Sequence, residues 1–169
     1  ATLRIVRSGD GSQHVVEARY LEPEVHTLMD ASSPVMRAGE ARKLVLNVQE
    51  PPSALAGTHV ARYIRYGERK GWDRGATVAA RSRSGQWYDL GLSPPADRAR
   101  VLWPKGHQYR HLALLNPDQM PCKDRLYEVF PHHDVDEVLL WAVLNSTIVA
   151  VSKATFGRPA GIEGYLDTQ

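Results

Sequence analysis

The chain has 169 residues, 43% hydrophobic and 24% charged, which is enough for a real core, excludes a disordered tail, and is too short for two large domains. A single cysteine, Cys122, excludes an internal disulfide or a thiolate metal cluster; with no run near eighteen apolar residues and no signal-type start, it predicts a cytoplasmic protein. Net charge is only +2, yet Arg62 to Arg110 holds eleven Lys/Arg against four Asp/Glu, a basic centre in an otherwise acidic chain.

Residues 3–7 and 14–20 flank the turn Ser8-Gly9-Asp10-Gly11-Ser12 and predict two strands. After Pro23, the acids Glu22 and Glu24 with the apolar Val25, Leu28 and Met29 predict a short helix ending by Ser33-Pro34. Residues 43–48, rich in branched aliphatics and stopped by Pro51-Pro52, read as a third strand.

Over 58–71 the periodicity changes. Val60, Tyr63, Ile64 and Gly67 fall on one helical face, and Arg62, Arg65 and Arg69 on the opposite one. Gly71 to Gly75 breaks the helix and opens a loop-rich stretch holding Arg81, Arg83, Gln86, Trp87 and Tyr88. Short strands are expected over 100–103, 111–115 and 125–130. Asp134 with Glu137 predicts a capped helix over 135–151. Its apolar residues cover nearly the whole circumference, so it is expected either at the domain centre or with one side against an absent polypeptide. The fold class is α/β in the broad sense, a mixed α+β domain with short strands and a long apolar C-terminal helix. Residues 1–60 supply entry strands and a spacer to a core over 61–169. The start at Ala1 and the end at Gln169 are those expected of a piece of a longer chain.

Most catalytic chemistries lack their residues. Gly9-Asp10-Gly11 has no following helix and reads as a hairpin turn rather than a phosphate cradle. No nucleophile elbow occurs, and Cys122 follows a proline with no helix to activate it. His132, His133 and Asp134 are adjacent, so their side chains do not share one metal cage. His107, His111 and Asp118 offer imidazoles and a carboxylate but no identifiable nucleophile. No catalytic, cofactor-binding or metal-binding residue is assigned.

Nucleic-acid binding fits the positive evidence. Arg62, Arg65, Arg69, Lys70 and Arg74 form a spaced series suited to a phosphate backbone. Arg81, Arg83, Gln86, Lys105, Gln108 and Arg110 are the base-reading candidates, because arginine matches guanine O6/N7 and glutamine matches adenine N6/N7. Trp87 and Tyr88 are suited to stacking, but core packing is the favoured reading. The alternative from another class is a protein-interaction or assembly module, with the apolar helix as its interface.

The blocks 63–71 (Tyr-Ile-Arg-Tyr-Gly-Glu-Arg-Lys-Gly) and 81–88 (Arg-Ser-Arg-Ser-Gly-Gln-Trp-Tyr), then Leu144-Asn145-Ser146 with Gly157, Arg158 and Gly161, carry a resemblance. Together they resemble the target-recognition region of adenine-N6 DNA methyltransferases and fused restriction-methylation enzymes. The resemblance spans most of residues 60–165. It implies a domain that holds double-stranded DNA from one side and presents base-reading loops, with Trp87, Tyr88, Asn145 and Ser146 as scaffold positions. It also implies a partner methyltransferase domain, in the same chain or complex, that binds S-adenosylmethionine and flips the adenine. The Asn-Pro-Pro-Tyr-type motif and the glycine-rich cofactor site of that catalytic domain are missing from this sequence; Asn116-Pro117-Asp118-Gln119 is no substitute. This fragment is therefore not expected to methylate DNA by itself.

Overall fold

The computed structural model describes residues 2–81, 85–107, 110–156, 158–159 and 166–167. They form two compact units, one of residues 1–22 with 44–92 and the other of 23–43 with 93–169. Residues 1–60 thus divide between both units.

In the first unit, β1 (Leu3–Arg7) and β2 (Gln13–Glu17) pair antiparallel, with Ile5 opposite Val15. The turn-rich link between them closes through Ser8 and Ser12. β3 (Leu21–Glu24) and β4 (Lys43–Leu46) pair as a ribbon through which the chain leaves this unit and returns. α1 (His59–Arg69) follows, capped by the Thr58 hydroxyl accepting from the Ala61 N–H at 3.1 Å. It ends where Gly71 takes φ 77°, a left-handed conformation that glycine reaches without a Cβ clash. The loop-rich stretch contains a further helix, α2 (Ala76–Arg81), which the sequence pattern did not mark. Val16, Tyr20, Val48, Val60, Ile64 and Tyr88 build the core of this unit.

In the second unit, β5 (Val101–Pro104) is the central strand of a three-stranded sheet. β6 is Gly106–His107, β7 is Leu114–Leu115 and β8 is Leu126–Val129, with β7 and β8 flanking β5 in antiparallel register. α3 (Glu137–Leu144) and α4 (Thr147–Phe156) come next. β9 (Arg158–Pro159) and β10 (Leu166–Asp167) form a small sheet with β6. The core gathers Val25, Met36, Leu102, Leu112, Leu114 and Met120. Asn116 is fully buried and serves its own turn, its side chain bonding the Met120 N–H and the carbonyls of Met120 and Ala99.

Two expectations are corrected here. Residues 22–34 form no α-helix: they hold the end of β3, an isolated bridge from Val25 to Cys122, and a single 3-10 turn at Leu28–Asp30. Pairing Val25 with a neighbouring segment satisfies backbone groups that the helix would have used internally. Nor is there one long apolar helix over 135–151. α3 stops at Asn145, whose amide bonds the carbonyls of Trp141 and Ala113 and the Ala113 N–H. α4 restarts beyond Ser146 at an angle of 55°. The N-cap of α3 is Asp136, which accepts from the Leu139 N–H at 2.7 Å, and not Asp134. Among the described residues, no single helix is long and apolar enough to cross a membrane.

Candidate nucleic-acid interface

The candidate site begins with the way α1 is held. Glu17, at the end of β2, is buried and accepts from the first amides of α1, His59 at 2.8 Å and Val60 at 2.9 Å. Burial alone would raise its carboxyl pKa, but the backbone N–H donors of His59 and Val60 outweigh that and hold it below the ordinary value. A carboxylate at this end also meets the positive pole of the helix.

The flank of α1 is locked by rings and by the β1–β2 turn. Tyr63 donates to the Ser8 hydroxyl at 3.1 Å and Tyr66 to the Asp10 carboxylate at 2.6 Å. His14 packs against both tyrosines with its ring tilted to each, and Trp72 meets both edge-on. Hydrogen bonds from Ser12 and Tyr66 hold the Asp10 carboxyl well below its usual range. Ser12 donates to Asp10 and contacts His14 Nε2 at 2.7 Å. The serine therefore lies between acid and imidazole, whereas a nucleophilic triad needs the imidazole in the middle. Gly67 is the point of closest approach: a Cβ there would lie 2.6 Å from Trp87 and 2.8 Å from Trp72.

With Val60, Ile64 and Gly67 buried, the opposite face of α1 carries Arg62, Arg65 and Arg69 into water. Lys70 and Arg74 continue it and are exposed too. Among the described residues, none of these five cations has an ion-pair partner within 4 Å; Arg69 and Lys70 border the Tyr66 ring at 6.0 and 5.5 Å. Glu68, the lone acid on α1, is turned to the Trp87 indole N–H at 3.3 Å. The residues 62 to 69 span about 10 Å of helix axis.

Those base-reading candidates that are described divide between the two units. Arg81 closes α2; Arg83 and Gln108 lie outside the described residues. Gln86 is half-buried in the first unit. Lys105 and Arg110 belong to the second, where both are engaged: Lys105 over the Tyr127 ring at 4.9 Å, and Arg110 donating to the Ala31 carbonyl at 3.1 Å. Trp87 is half-buried against Gly67, and Tyr88 is buried with its hydroxyl on the Glu50 carbonyl. Asn145 and Ser146 form the joint between α3 and α4, Ser146 accepting from the Val149 N–H at 3.4 Å. No family model, curated protein or solved structure matches the chain.

Part of the basic excess over 62–110 is internal. Arg98 is buried, donating to the carbonyls of Ser93 and Gln119, and Arg100 pairs with Glu137 at 3.1 Å. Counting charges along the chain cannot separate these two from the free series on α1. The other chemical groups also have structural employment. Asp118 accepts from the Ala38 N–H and faces Arg37, while His111 contacts the Leu144 carbonyl and the edge of Trp103. Burial pushes the Cys122 thiol up to about 12, leaving almost no thiolate at neutral pH. Among the described residues, no three His, Cys, Asp or Glu side chains are grouped to hold a metal ion.

Proposed function

We propose that the first unit binds the phosphate backbone of double-stranded DNA along α1, and that the chain is the target-recognition part of an adenine-N6 modification or restriction-modification protein. The observation that carries the reading is the series Arg62, Arg65, Arg69, Lys70 and Arg74: five exposed cations with no acid within 4 Å among the described residues, Lys70 alone feeling the more distant Asp10 carboxylate. Free guanidinium groups spaced along a rigid helix neutralise phosphates and release counterions, which favours binding without reading sequence. Packing of the opposite face keeps that spacing fixed before DNA arrives, so little ordering entropy opposes binding. Base selection falls to Arg81, Arg83, Gln86, Lys105, Gln108 and Arg110; Lys105 and Arg110 must exchange their internal contacts for base edges. The partner methyltransferase domain holds S-adenosylmethionine and performs the transfer.

The test is fluorescence anisotropy on labelled duplexes between 50 and 200 mM salt, roughly the range over which such contacts weaken most visibly. Replacing Arg62, Arg65 and Arg69 together by Ala should lower affinity and flatten the salt dependence by about 2–3 in log–log slope, near 0.9 per phosphate contact. Thermal stability should change little, because all three side chains are exposed. Unchanged affinity and slope would sink the reading. Single replacements of the base-reading candidates should alter preference at one base position by about 1–3 kcal/mol rather than weaken all sequences equally.

A further inference from the structure

The exposed surface of α3 and α4 is nearly free of charge. Val138, Leu139, Val143, Ile148, Val151 and Phe156 are 49% to 82% exposed. From residue 138 to 156 the one charged side chain is Lys153, which is buried with its ammonium 4.4 Å from the Trp103 ring centroid. Glu137, at the border, is paired with Arg100. Chains that remain single rarely leave so large an apolar area in water.

We infer that the outer faces of α3 and α4 meet the same faces of a second copy of this chain in a two-fold symmetric dimer. Those six side chains expose on the order of 600–700 Å² of apolar surface, close to the ~800 Å² per partner of a standard interface. A two-fold axis brings a patch against itself, so any exposed charge near the axis would face its own kind. This patch has none to oppose, and interface centres are depleted of charge in the same way.

A lipid surface fits less well. Together α3 and α4 are long and apolar enough to reach across a ~30 Å hydrocarbon core, but they have only 8 and 10 residues and are bent by 55° at their joint, so neither is a straight span. The flank carries Asp134, Asp136 and Glu137, and no Lys or Arg occurs from 126 to 152. Helices that lie on anionic membranes use cationic flanks, and acids are repelled there.

Sedimentation equilibrium of the nuclease-treated 169-residue chain, from about 1 to 100 µM, covers the affinity range of modest interfaces. The weight-average mass should climb from 18.9 kDa towards twice that, and 1 M NaCl should not reverse the rise. L139E with I148E should remain a single chain with an unchanged circular dichroism spectrum. The milder pair V143S and V151S, which keeps the face uncharged, should weaken association at least tenfold. Arg62→Ala with Arg65→Ala and Arg69→Ala should dimerise as before, which keeps this result separate from any failure of DNA binding. A mass fixed at one chain at 100 µM overturns the proposal, as does a dimer indifferent to both pairs of substitutions. Flotation with neutral phosphatidylcholine vesicles by an otherwise single chain overturns it in favour of a lipid surface.

Discussion

Helix α1 buries Val60, Ile64 and Gly67 and turns Arg62, Arg65 and Arg69 to water, whereas α3 and α4 expose Val138, Leu139, Val143, Ile148 and Val151 and bury a lysine. The first follows ordinary partition: apolar groups leave water and strongly hydrated cations stay in it. The second reverses that order, and the reversal is the stronger hint of a missing contact. An exposed arginine needs no explanation of its own, since water solvates it at no cost. It is the lack of any acid within ion-pair distance of five such cations, among the described residues, that gives the α1 face meaning.

The sharpest way to probe the contrast is through the buried cation. Burial lowers Lys153 from 10.5 to about 8, which amounts to roughly 3 kcal/mol of destabilisation near neutral pH, offset in part by the indole face of Trp103. The sign follows from proton binding. Between about 8 and 10.5 the unfolded chain holds this proton more tightly than the folded one, so the lysine's penalty shrinks as pH rises through that window. Lys153→Met should therefore raise stability in urea by up to about 3 kcal/mol at pH 7, with the gain fading towards pH 10.5. Comparing the variant with the parent at each pH cancels the titration of Tyr20 and Tyr88, whose hydroxyls burial pushes upward. A destabilised variant would show that the ammonium is held by more than the indole.

The anchoring of α1 offers the next largest effect. Glu17→Ala would leave the His59 and Val60 amides without their acceptor and should cost about 2–3 kcal/mol in chemical denaturation. Because the folded carboxyl lies below its ordinary value of 4.5, its contribution is present above that pH and disappears as pH falls. The acid limb of the stability curve should be shallower in the variant. A smaller loss, about 1–2 kcal/mol, is expected for Gly67→Ala. The new methyl would push Trp87 and Trp72 apart, while the better helix propensity of alanine returns part of the cost. An unchanged melting temperature would mean that the two indoles shift freely, and that the aromatic lock on α1 is looser than its distances imply.

Much of the first unit was legible in the order of residues. The strand at 3–7, the start of the one expected over 14–20 (which ends at Glu17, with Ala18–Tyr20 in a 3-10 turn), the turn between them and α1 with its two faces all depend on local alternation, turn chemistry and helical period, signals that survive without knowledge of neighbours. The same signals erred over 22–34, where a helical spacing of Val25, Leu28 and Met29 lost to pairing with a distant segment at Cys122. α2 went unseen because 76–81 has small and β-branched residues with no apolar stripe. The continuous pattern over 135–151 concealed a break, since a serine and an asparagine are tolerated within helices. Asn145 ends α3 by adding two bonds to Ala113, a partner 32 residues away, to its local bond with Trp141.

Sequence alone determined which residues are cationic, which segments carry a helical or strand period, and that the catalytic motifs of several enzyme classes have no counterpart in these residues. Tertiary structure decided which cations are free. Arg98 and Arg100 belong to the same basic run as Arg62 and Arg65, but they are engaged by the Ser93 and Gln119 carbonyls and by Glu137, while α1 keeps its own in water. It also decided that the most apolar stretch of the chain faces outward. The reason is that charge and hydrophobicity are properties of single residues, whereas their availability depends on the groups that folding brings within a few ångströms, and those come from far along the chain.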